Sequence, residues 1–339
     1  MRIAFVTGAT GFIGRHLVDG LLDRGCEVRC LVRDPARAAH LRRDGVRLVH
    51  GSLADVGPWQ GELDGCDVVF NAGGLCMARS RAELFAVNAQ AVGALADACA
   101  AVESPPRLVH VSSLAAAGPS PNGNTVRDER DGLAPVSAYG ASKLAGDVTL
   151  RGRATRLAIT AVQPGIVFGP YDTKMLPLYQ MINSVRLHLP MGLRPVPLSL
   201  IHVDDLVRLL LAAADRGERM RPVNGHPHEP SGIYHACDDR EHPTYNELGR
   251  RVAQAIGRGV AVVPLPATVA LPAVAVVEGF WNLLGQATII SRDKLREATA
   301  RSWAASATKA REQLGFAATA SLDERLRETG DWFRNNRLL

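Results

Sequence analysis

The sequence predicts an α/β fold: a doubly wound parallel sheet with helices on both faces, followed by a smaller C-terminal α/β lobe. Three observations carry this prediction. Short apolar runs alternate with stretches of helical periodicity through the first half of the chain. A glycine trio, Gly8, Gly11 and Gly14, sits between the first such run and the first such helix. From Gly169 to Pro197 proline and glycine become frequent and the alternation loosens. Strand–helix–strand alternation implies parallel strands, because each helical crossover returns the chain to the same end of the sheet.

The elements follow in order. Arg2–Thr7 is a short apolar run that ends in the glycine turn. His16–Arg24 places Leu17, Val18, Leu21 and Leu22 at helical spacing, and Gly25 closes it. Glu27–Val32, Arg47–His50, Asp67–Asn71 and Arg107–Ser112 are further strands, with a long helix over Ala82–Val102 before the last. The helix Ala138–Leu150 precedes the strand Leu157–Gln163. In the second half, Asp204–Asp215 reads as a helix and Gly232–His235 as a strand. Tyr245–Ile256 and Leu322–Arg334 are helices, each opened by a capping box: Thr244 with Glu247, and Ser321 with Glu324. The expected division is a core over 1–165 and a mainly substrate-binding lobe over 166–339. Segments near 198–215 and 232–236 are expected to return to the core.

Composition narrows the function. With 47% hydrophobic and 22% charged residues over 339 positions, the chain can bury a large core and is not intrinsically disordered. Its 39 Lys and Arg face 34 Asp and Glu with no basic block, so no nucleic-acid partner is expected. None of the cysteines 26, 30, 66, 76, 99 and 237 forms a CxxC pair, which argues against a zinc ribbon or a redox dithiol. Their place in apolar runs suits a reducing compartment, and the N-terminus lacks the pattern of a signal or transit peptide, so a cytoplasmic location is expected. One stretch, Gly259–Val277, carries no charge; Pro264, Pro266 and Pro272 interrupt it. It is read as a buried loop and helix, with a lid over a greasy pocket or a peripheral membrane contact through 259–285 as alternatives.

The glycine trio, in TGATGFIG, carries the first chemistry. The first glycine permits a tight turn, the second lets a pyrophosphate approach the backbone, and the third lets helix and strand pack closely. The helix N-terminus then offers amide donors and a favourable dipole to phosphate. The second strand ends at Val32, where an acidic residue usually meets a free ribose 2′-hydroxyl. Arg33 stands there instead, with Arg37 one turn on, and a guanidinium can fork onto a 2′-phosphate. NADP is therefore expected over NAD, although Asp34 lies beside Arg33.

Tyr139 and Lys143, in YGASK, lie four apart on a predicted helix and so share a face. A lysine ammonium near a phenol favours the phenolate, which lets the tyrosine exchange a proton with a substrate oxygen. A hydroxyl beside it would hold a carbonyl; Ser113, just past a strand end in HVSSLAAAG, is the candidate and Ser112 the rival.

With these motifs in order, the chain resembles the extended short-chain dehydrogenase/reductase family, also described as the NAD-dependent epimerase/dehydratase family. TGATGFIG, VSSLAAAG, YGASK, QPGIVFGP and SLIHVDDL carry the likeness over nearly the whole length. The resemblance implies a Rossmann core, a C-terminal substrate lobe, and catalysis between them by Ser113, Tyr139 and Lys143. It implies a nicotinamide cofactor against Gly8, Thr10, Gly11, Phe12, Ile13, Gly14, Arg33, Ser52, Leu53, Ala72, Gly73, Tyr139, Lys143, Pro164 and Ile166. Asn88 matches a family asparagine with a structural or water-organising role. It also implies a homodimer paired through the helices Ala82–Val102 and Ala138–Leu150.

The chain departs from the family in places. Gly51-Ser52-Leu53 stands where Gly-Asp-Leu is common, Asn71-Ala72-Gly73 replaces a His-Leu-Ala type of turn, and Gln163 replaces an arginine. Nucleotide-sugar members carry Arg-Asp-Phe where this chain has Leu198, Ser199 and Leu200, and an asparagine where it has Ile166. Apolar residues at both points suit a small hydrophobic substrate, as in the hydroxysteroid dehydrogenase and dihydroflavonol reductase branch. The alternative is that Arg194 or Arg292 serves a diphosphate.

The expected function is thus NADP-dependent interconversion of a secondary alcohol and a ketone on a steroid-, terpenoid- or flavonoid-like substrate. The alternatives are a nucleotide-sugar epimerase or dehydratase with tightly held NAD, and a non-catalytic nucleotide-binding scaffold. No metal site is expected: His226 and His228 lie in a Pro/Gly turn without further ligands. Asp204 and Asp205 are read as helix caps, and Trp281 and Trp303 as core.

Overall fold

In a computed structural model, residues 1–121, 126–222, 229–266, 268 and 292–339 are described. Seven parallel strands form the main sheet in the order β3-β2-β1-β4-β5-β6-β10. They are β1 (Ile3–Thr7), β2 (Glu27–Val32), β3 (Val46–His50), β4 (Val68–Asn71), β5 (Arg107–Val111), β6 (Ile159–Pro164) and β10 (Ile233–Ala236). The order reverses between β1 and β4. Such a reversal opens a crevice at the carboxyl ends of the strands, where dinucleotides bind in this architecture. The fold is the expected Rossmann type.

Helix α1 (Phe12–Leu22) begins four residues before the sequence pattern implied, because the glycine turn itself supplies the N-cap, Gly11. The long helix expected over Ala82–Val102 is present as α2 (Arg81–Phe85) and α3 (Ala91–Ala101) joined by a π-helical turn, Ala86–Gln90. That turn carries Asn88. A π-turn widens the backbone by one residue, often at a functional site. The short helix α4 (Leu114–Ala117) follows β5, and α5 (Ala138–Arg151) precedes β6.

One face of the sheet packs on α1 and α7 (Val203–Arg216). Leu17, Val18 and Leu21 of α1 meet Leu206, Leu210 and Leu211 of α7 there, all 0–4% exposed. A Cβ on Gly20 would lie 2.9 Å from Val207 Cγ1, so the two helices approach closely at that point. The other face packs on α3, with Val92, Leu95 and Cys99 fully buried. Helix α7 thus lies against the sheet and β10 forms its edge strand, and Ala305, Ala307, Ala310, Leu314 and Phe316 join the same cluster.

A separate cluster underlies the C-terminal lobe. It combines Tyr179 and Ile182 of α6 (Leu176–Val185), Leu248 and Val252 of α8 (Tyr245–Ala255), and Leu326 and Phe333 of the helix Leu322–Asn335. Both expected capping boxes form, at Thr244 and at Ser321. Three short pairings escaped the sequence pattern because two- and three-residue strands have no readable period. β7 (Ile166–Phe168) pairs with β9 (Leu200–His202), β8 (Leu187–His188) pairs with β11 (Ala261–Val262), and Met191 bridges to Leu265.

Asp204 and Asp205 are not the caps they were expected to be. His202 is the N-cap of α7, its side chain accepting from Asp204 N. The carboxylates sit in the first turn, where the helix dipole favours them. From there they tie the lobe down: Asp204 meets His16 at 3.1 Å, and Asp205 accepts from Thr319 Oγ1 at 2.6 Å. His226, His228, Trp281, the Arg292 side chain and most of Gly259–Val277 lie outside the described residues. Trp303 packs on the lobe core as expected, its Nε1 donating to Glu297 O at 2.8 Å.

Candidate active site

Because every strand of the main sheet is parallel, the loops after β1, β2, β3, β4, β5 and β6 open on one edge. Ser113, Tyr139, Lys143 and the residues expected to meet the cofactor lie at the ends of those strands, on the loops that follow or on helices that start there. The glycine turn after β1 is the tightest point. Gly8 has φ +70°, and a Cβ there would lie 2.6 Å from Gly73 N. A Cβ on Gly14 would lie 2.1 Å from Gly8 O. Gly11 has no side-chain cap, and α1 has no acidic residue in its first turn, so no carboxylate of that turn competes for its leading amides. Thr10 and Gly11 are exposed, and Phe12 and Ile13 partly so. Bare amides, a dipole and no competing carboxylate fit the phosphates of a dinucleotide.

Arg33 follows β2 and is exposed. Asp34 does not compete with it for a ligand. Its carboxylate accepts from Ala36 N at 2.9 Å as the N-cap of a 3₁₀ turn, Pro35–Leu41. Ser52 turns its Oγ to Ala54 N at 3.1 Å, and its carbonyl receives Trp59 Nε1 at 2.9 Å. Leu53 and Gly73 face each other; a Cβ on Gly73 would be 3.2 Å from Leu53 Cδ1. Ala72 lies against Gly8.

The next loop carries the catalytic candidates. Ser113 caps α4, accepting from Ala115 N at 3.1 Å, and also hydrogen-bonds the Tyr139 hydroxyl. Ser112 instead points into the core and donates to Asp147 Oδ2 at 2.7 Å. The geometry therefore separates the two rivals: only Ser113 is at the tyrosine. Tyr139 and Lys143 share a face of α5. Lys143 is 3% exposed, and its Nζ donates to Val111 O at 2.7 Å. It lies close to Gly74, whose hypothetical Cβ would be 3.7 Å from Nζ. Pro164, buried, ends β6, and Ile166, partly exposed, opens β7 at the same edge. Gly165 between them admits the Ser199 carbonyl, 2.3 Å from where a Cβ would be.

The electrostatics differ from the sequence expectation in one respect. Lys143 was expected to pull the Tyr139 hydroxyl down. Burial instead pushes it well above its ordinary value, Cys76 adds to the rise, and the Ser113 hydrogen bond opposes it. Burial also lowers the Lys143 ammonium, against the attraction of Asp147. The neutral phenol is thus favoured, which suits a proton donor.

Several supporting residues were not found from sequence. Asp147 is four residues beyond Lys143, a spacing that could have been read as a third member of the same helix face. It also accepts from Gln163 Nε2 at 2.9 Å. Buried Arg127 donates to the carbonyls of Ala117, Gly118 and Pro119 and so fixes the loop behind Ser113. Asn88, which the sequence did single out, holds Leu75 by both backbone groups (2.9 and 2.8 Å) and reaches Ser142 Oγ at 2.9 Å. It thereby ties the loop after β4 to α5. Asp293 and Glu297, on the helix Arg292–Ala298, accept from Ala138 N (2.7 Å) and Ser137 Oγ (2.5 Å) at the start of α5. Lys174, between β7 and α6, donates to Cys76 Sγ at 2.9 Å beside the tyrosine. Leu198, Ser199 and Leu200 are at most 2% exposed, so they pack the lobe and do not line an open cleft.

Comparison with known proteins places this geometry. A "Ceramide reductase" of Caulobacter vibrioides is 29% identical over 333 residues, covering 98% of this chain and 94% of that protein. A "4-hydroxy-2-methyl-3-oxo-4-farnesyl-3,4-dihydroquinoline-1-oxide ketoreductase" of Stigmatella aurantiaca is 32% identical over 220 residues, 63% of this chain and 64% of that one. Among solved structures, UDP-glucose 4-epimerase of Thermotoga maritima with UDP-glucose aligns at TM-score 0.77 and 20% identity, covering 99% of both chains. At that identity the likeness speaks to the fold. The sequence profile of the NAD dependent epimerase/dehydratase family matches residues 4–224. The chain belongs to that family, and with it to the extended short-chain dehydrogenases/reductases, enzymes that work with a nicotinamide cofactor.

Proposed function

We propose that this enzyme uses NADP to interconvert a ketone and a secondary alcohol on a lipophilic substrate. The observation that carries the proposal is the Ser113–Tyr139 hydrogen bond at the open sheet edge, with Lys143 buried behind it. A nicotinamide dinucleotide supplies the hydride when bound, and the amides after Gly11 with Gly8, Ala72 and Gly73 would hold it. The chain's own groups do the rest. Ser113 donates to the substrate carbonyl and stabilises charge on its oxygen. Tyr139, held neutral by burial, gives that oxygen its proton. The Lys143 ammonium then favours the phenolate left behind, and solvent restores the proton.

Two further features support the finer points. Arg33 is exposed at the end of β2 while Asp34 is committed to its cap, which favours a 2′-phosphate. Two relatives are described as reductases of lipid-like or farnesylated compounds, and one of them matches over 94% of its length. The runner-up is a nucleotide-sugar epimerase or dehydratase, favoured by the structural neighbours with sugar nucleotides.

The deciding experiment follows NADPH absorbance at 340 nm with a panel of lipophilic ketones, including 3-ketosphingoid and ketosteroid compounds. NADH and Tyr139→Phe run in parallel. Turnover that needs NADPH and falls by about a thousandfold or more in Tyr139→Phe is expected. Absence of turnover, with UDP- or dTDP-sugars converted without net redox change, overturns the proposal.

A further inference from the structure

A chain of buried hydrogen bonds runs from the nucleotide cradle to helix α5, and its polarity can be read donor by donor. Gly73 N, at the turn that crowds Gly8, donates to Thr7 Oγ1 at 3.3 Å. Thr7 Oγ1 donates in turn to Asn71 Oδ1 at 2.6 Å. That leaves the Asn71 amide nitrogen facing His110 Nδ1 at 3.1 Å, so Nδ1 accepts. His110 is fully buried, and burial and Lys143 hold it neutral. A neutral imidazole carries one proton, which therefore sits on Nε2. Nε2 faces Asp147 Oδ1 at 3.9 Å, and neither atom has a hydrogen-bond partner among the described residues. On its other oxygen Asp147 accepts from Ser112 Oγ at 2.7 Å and from Gln163 Nε2 at 2.9 Å. A carboxyl group that meets only donors is favoured in its ionised form.

We propose that Asp147 is a positioning residue for Lys143: its buried carboxylate, fixed by Ser112 and Gln163 and faced by His110, is the counter-ion that holds the lysine ammonium in place behind Tyr139. The two residues are four apart on α5 and so share one face, about 5–6 Å apart at Cβ. They also engage consecutive residues at the end of β5. Lys143 Nζ donates to Val111 O at 2.7 Å, and Asp147 accepts from the Ser112 hydroxyl. Burial works against both charges, raising the Asp147 carboxyl and lowering the Lys143 ammonium. Each offsets the other's cost. Of the attractions on the ammonium, that of Asp147 exceeds that of Cys76.

The other groups around the pair come from several elements. Tyr139, neutral, is on the same helix, Cys76 is on the loop after β4, and neutral His110 is on β5. Arg151, one turn beyond Asp147, adds a weaker attraction to the carboxylate than Lys143 does. Strand β6 brings the uncharged Gln163, while α2 and α3 carry Arg81, Glu83 and Asp97 at exposed positions. Asp293 and Glu297 sit at the start of α5. An ammonium buried without its counter-ion gives up its proton more readily. The phenolate left on Tyr139 by the proposed reaction would then lack its cation. The inference rests on that reaction only where turnover is measured; the ion pair does not depend on it.

The test is a pH titration of the full chain by NMR with carbon-13 at the lysine ε position. The sequence has only four lysines, Lys143, Lys174, Lys294 and Lys309, and Lys143→Arg assigns the signal. Asp147→Asn keeps the side-chain shape and removes the charge. It should lower the Lys143 midpoint by about 1–3 pH units, the effect of losing an opposite charge at ~4–6 Å. Asp147→Glu keeps the charge and should return the midpoint to within about half a unit of wild type. Coupling between two protons is reciprocal, so Lys143→Met should raise the Asp147 carboxyl midpoint, followed with carbon-13 aspartate. That measurement serves if Asp147→Asn does not fold, which circular dichroism checks. Nitrogen-15 spectra of the wild type should find the His110 proton on Nε2. At 340 nm, the alkaline limb of kcat in Asp147→Asn should move down by as much as the Lys143 midpoint, with KM unchanged. A Lys143 midpoint indifferent to Asp147→Asn in a folded protein overturns the inference. So does an Asp147→Glu protein as displaced as Asp147→Asn, or a His110 proton on Nδ1. A shifted midpoint without ketone turnover upholds the ion pair and overturns the reaction proposed above.

Discussion

Gly14→Ala tests how the nucleotide cradle is built. The new methyl would lie 2.1 Å from Gly8 O, 2.7 Å from Gly8 C and 2.8 Å from Ala9 Cα. All three are backbone atoms, so no side chain can swing away. To bring the oxygen contact past 3.0 Å, α1 and the turn must separate by 0.9 Å or more. Overpacking of this kind costs about 1–3 kcal/mol. For a chain of 339 residues, unfolding entropy near ~0.7 kcal/mol/K makes this a fall in Tm of about 1.5–4 °C. The same displacement moves the α1 amides off the phosphates. Losing one charge-assisted hydrogen bond, worth about 1.5–3 kcal/mol, weakens nucleotide binding roughly 10- to 150-fold. Titration calorimetry with NADPH and a thermal melt read the two effects separately. Gly61→Ala is the control, since its added methyl meets nothing within 4 Å. A Gly14→Ala protein that binds NADPH within a factor of two of wild type, at wild-type Tm, would refute the account of the cradle.

Two further predictions concern charge. Arg33→Ser should weaken NADPH binding by about tenfold while leaving NADH within a factor of two, because only the former offers a 2′-phosphate to a guanidinium. Equal loss for both nucleotides in a fluorescence titration would place Arg33 elsewhere. His235, 1% exposed at the end of β10, is held neutral: burial and Arg127 lower its imidazole to about 3. The unfolded chain protonates the same group below ~6.5, so it binds more protons than the folded state in that window. Its contribution to stability is therefore complete above pH 6.5 and is lost as pH falls towards 3, amounting to about 2 kcal/mol at pH 5. Urea melts across this range should show a shallower pH slope for His235→Leu than for wild type; parallel slopes would contradict the assignment.

The sheet was legible because β1, β2, β4, β5 and β6 are buried runs bounded by turns, and parallel strands buried on both faces read as continuous apolar segments. The cradle was legible because its constraints fall on glycine, the one residue whose absence of a side chain is visible in sequence. The Tyr139–Lys143 pair was legible through a local helical spacing. What escaped was whatever depends on distant segments meeting. Cys76 and Lys174 are 98 positions apart and touch through one hydrogen bond. Asp293 and Glu297 reach the start of α5 from some 155–160 positions downstream. Leu198–Leu200 illustrates the limit from the other side. Leu198 and Leu200 were read as suiting a hydrophobic substrate, but both are buried in the lobe core, and Leu200 opens β9. Side-chain polarity alone cannot distinguish a pocket wall from packing.

Beneath the site runs a buried polar seam that packing alone does not explain. Thr7 donates to Asn71 at 2.6 Å, Asn71 meets His110 Nδ1 at 3.1 Å, and Asp147 gathers Ser112 and Gln163. Across this seam His110 Nε2 and Asp147 Oδ1 stand 3.9 Å apart, each without a hydrogen-bond partner. Burial lowers His110 far below its ordinary value and raises Asp147, so both pay desolvation. Replacing a buried charged pair with an apolar pair of similar volume is often neutral or stabilising. The seam crosses β1, β4, β5, β6 and α5, the elements that carry the cradle, Ser113 and the Tyr139–Lys143 face. Lys143 lies on its upper side, attracted by Asp147 and pinned to Val111 O. Polar groups with few alternative partners permit few arrangements, and Asp147 ties α5 to the ends of β5 and β6 through Ser112 and Gln163. That restriction of geometry, at some expense in stability, is what the proposed proton transfer between Tyr139 and a substrate oxygen would require.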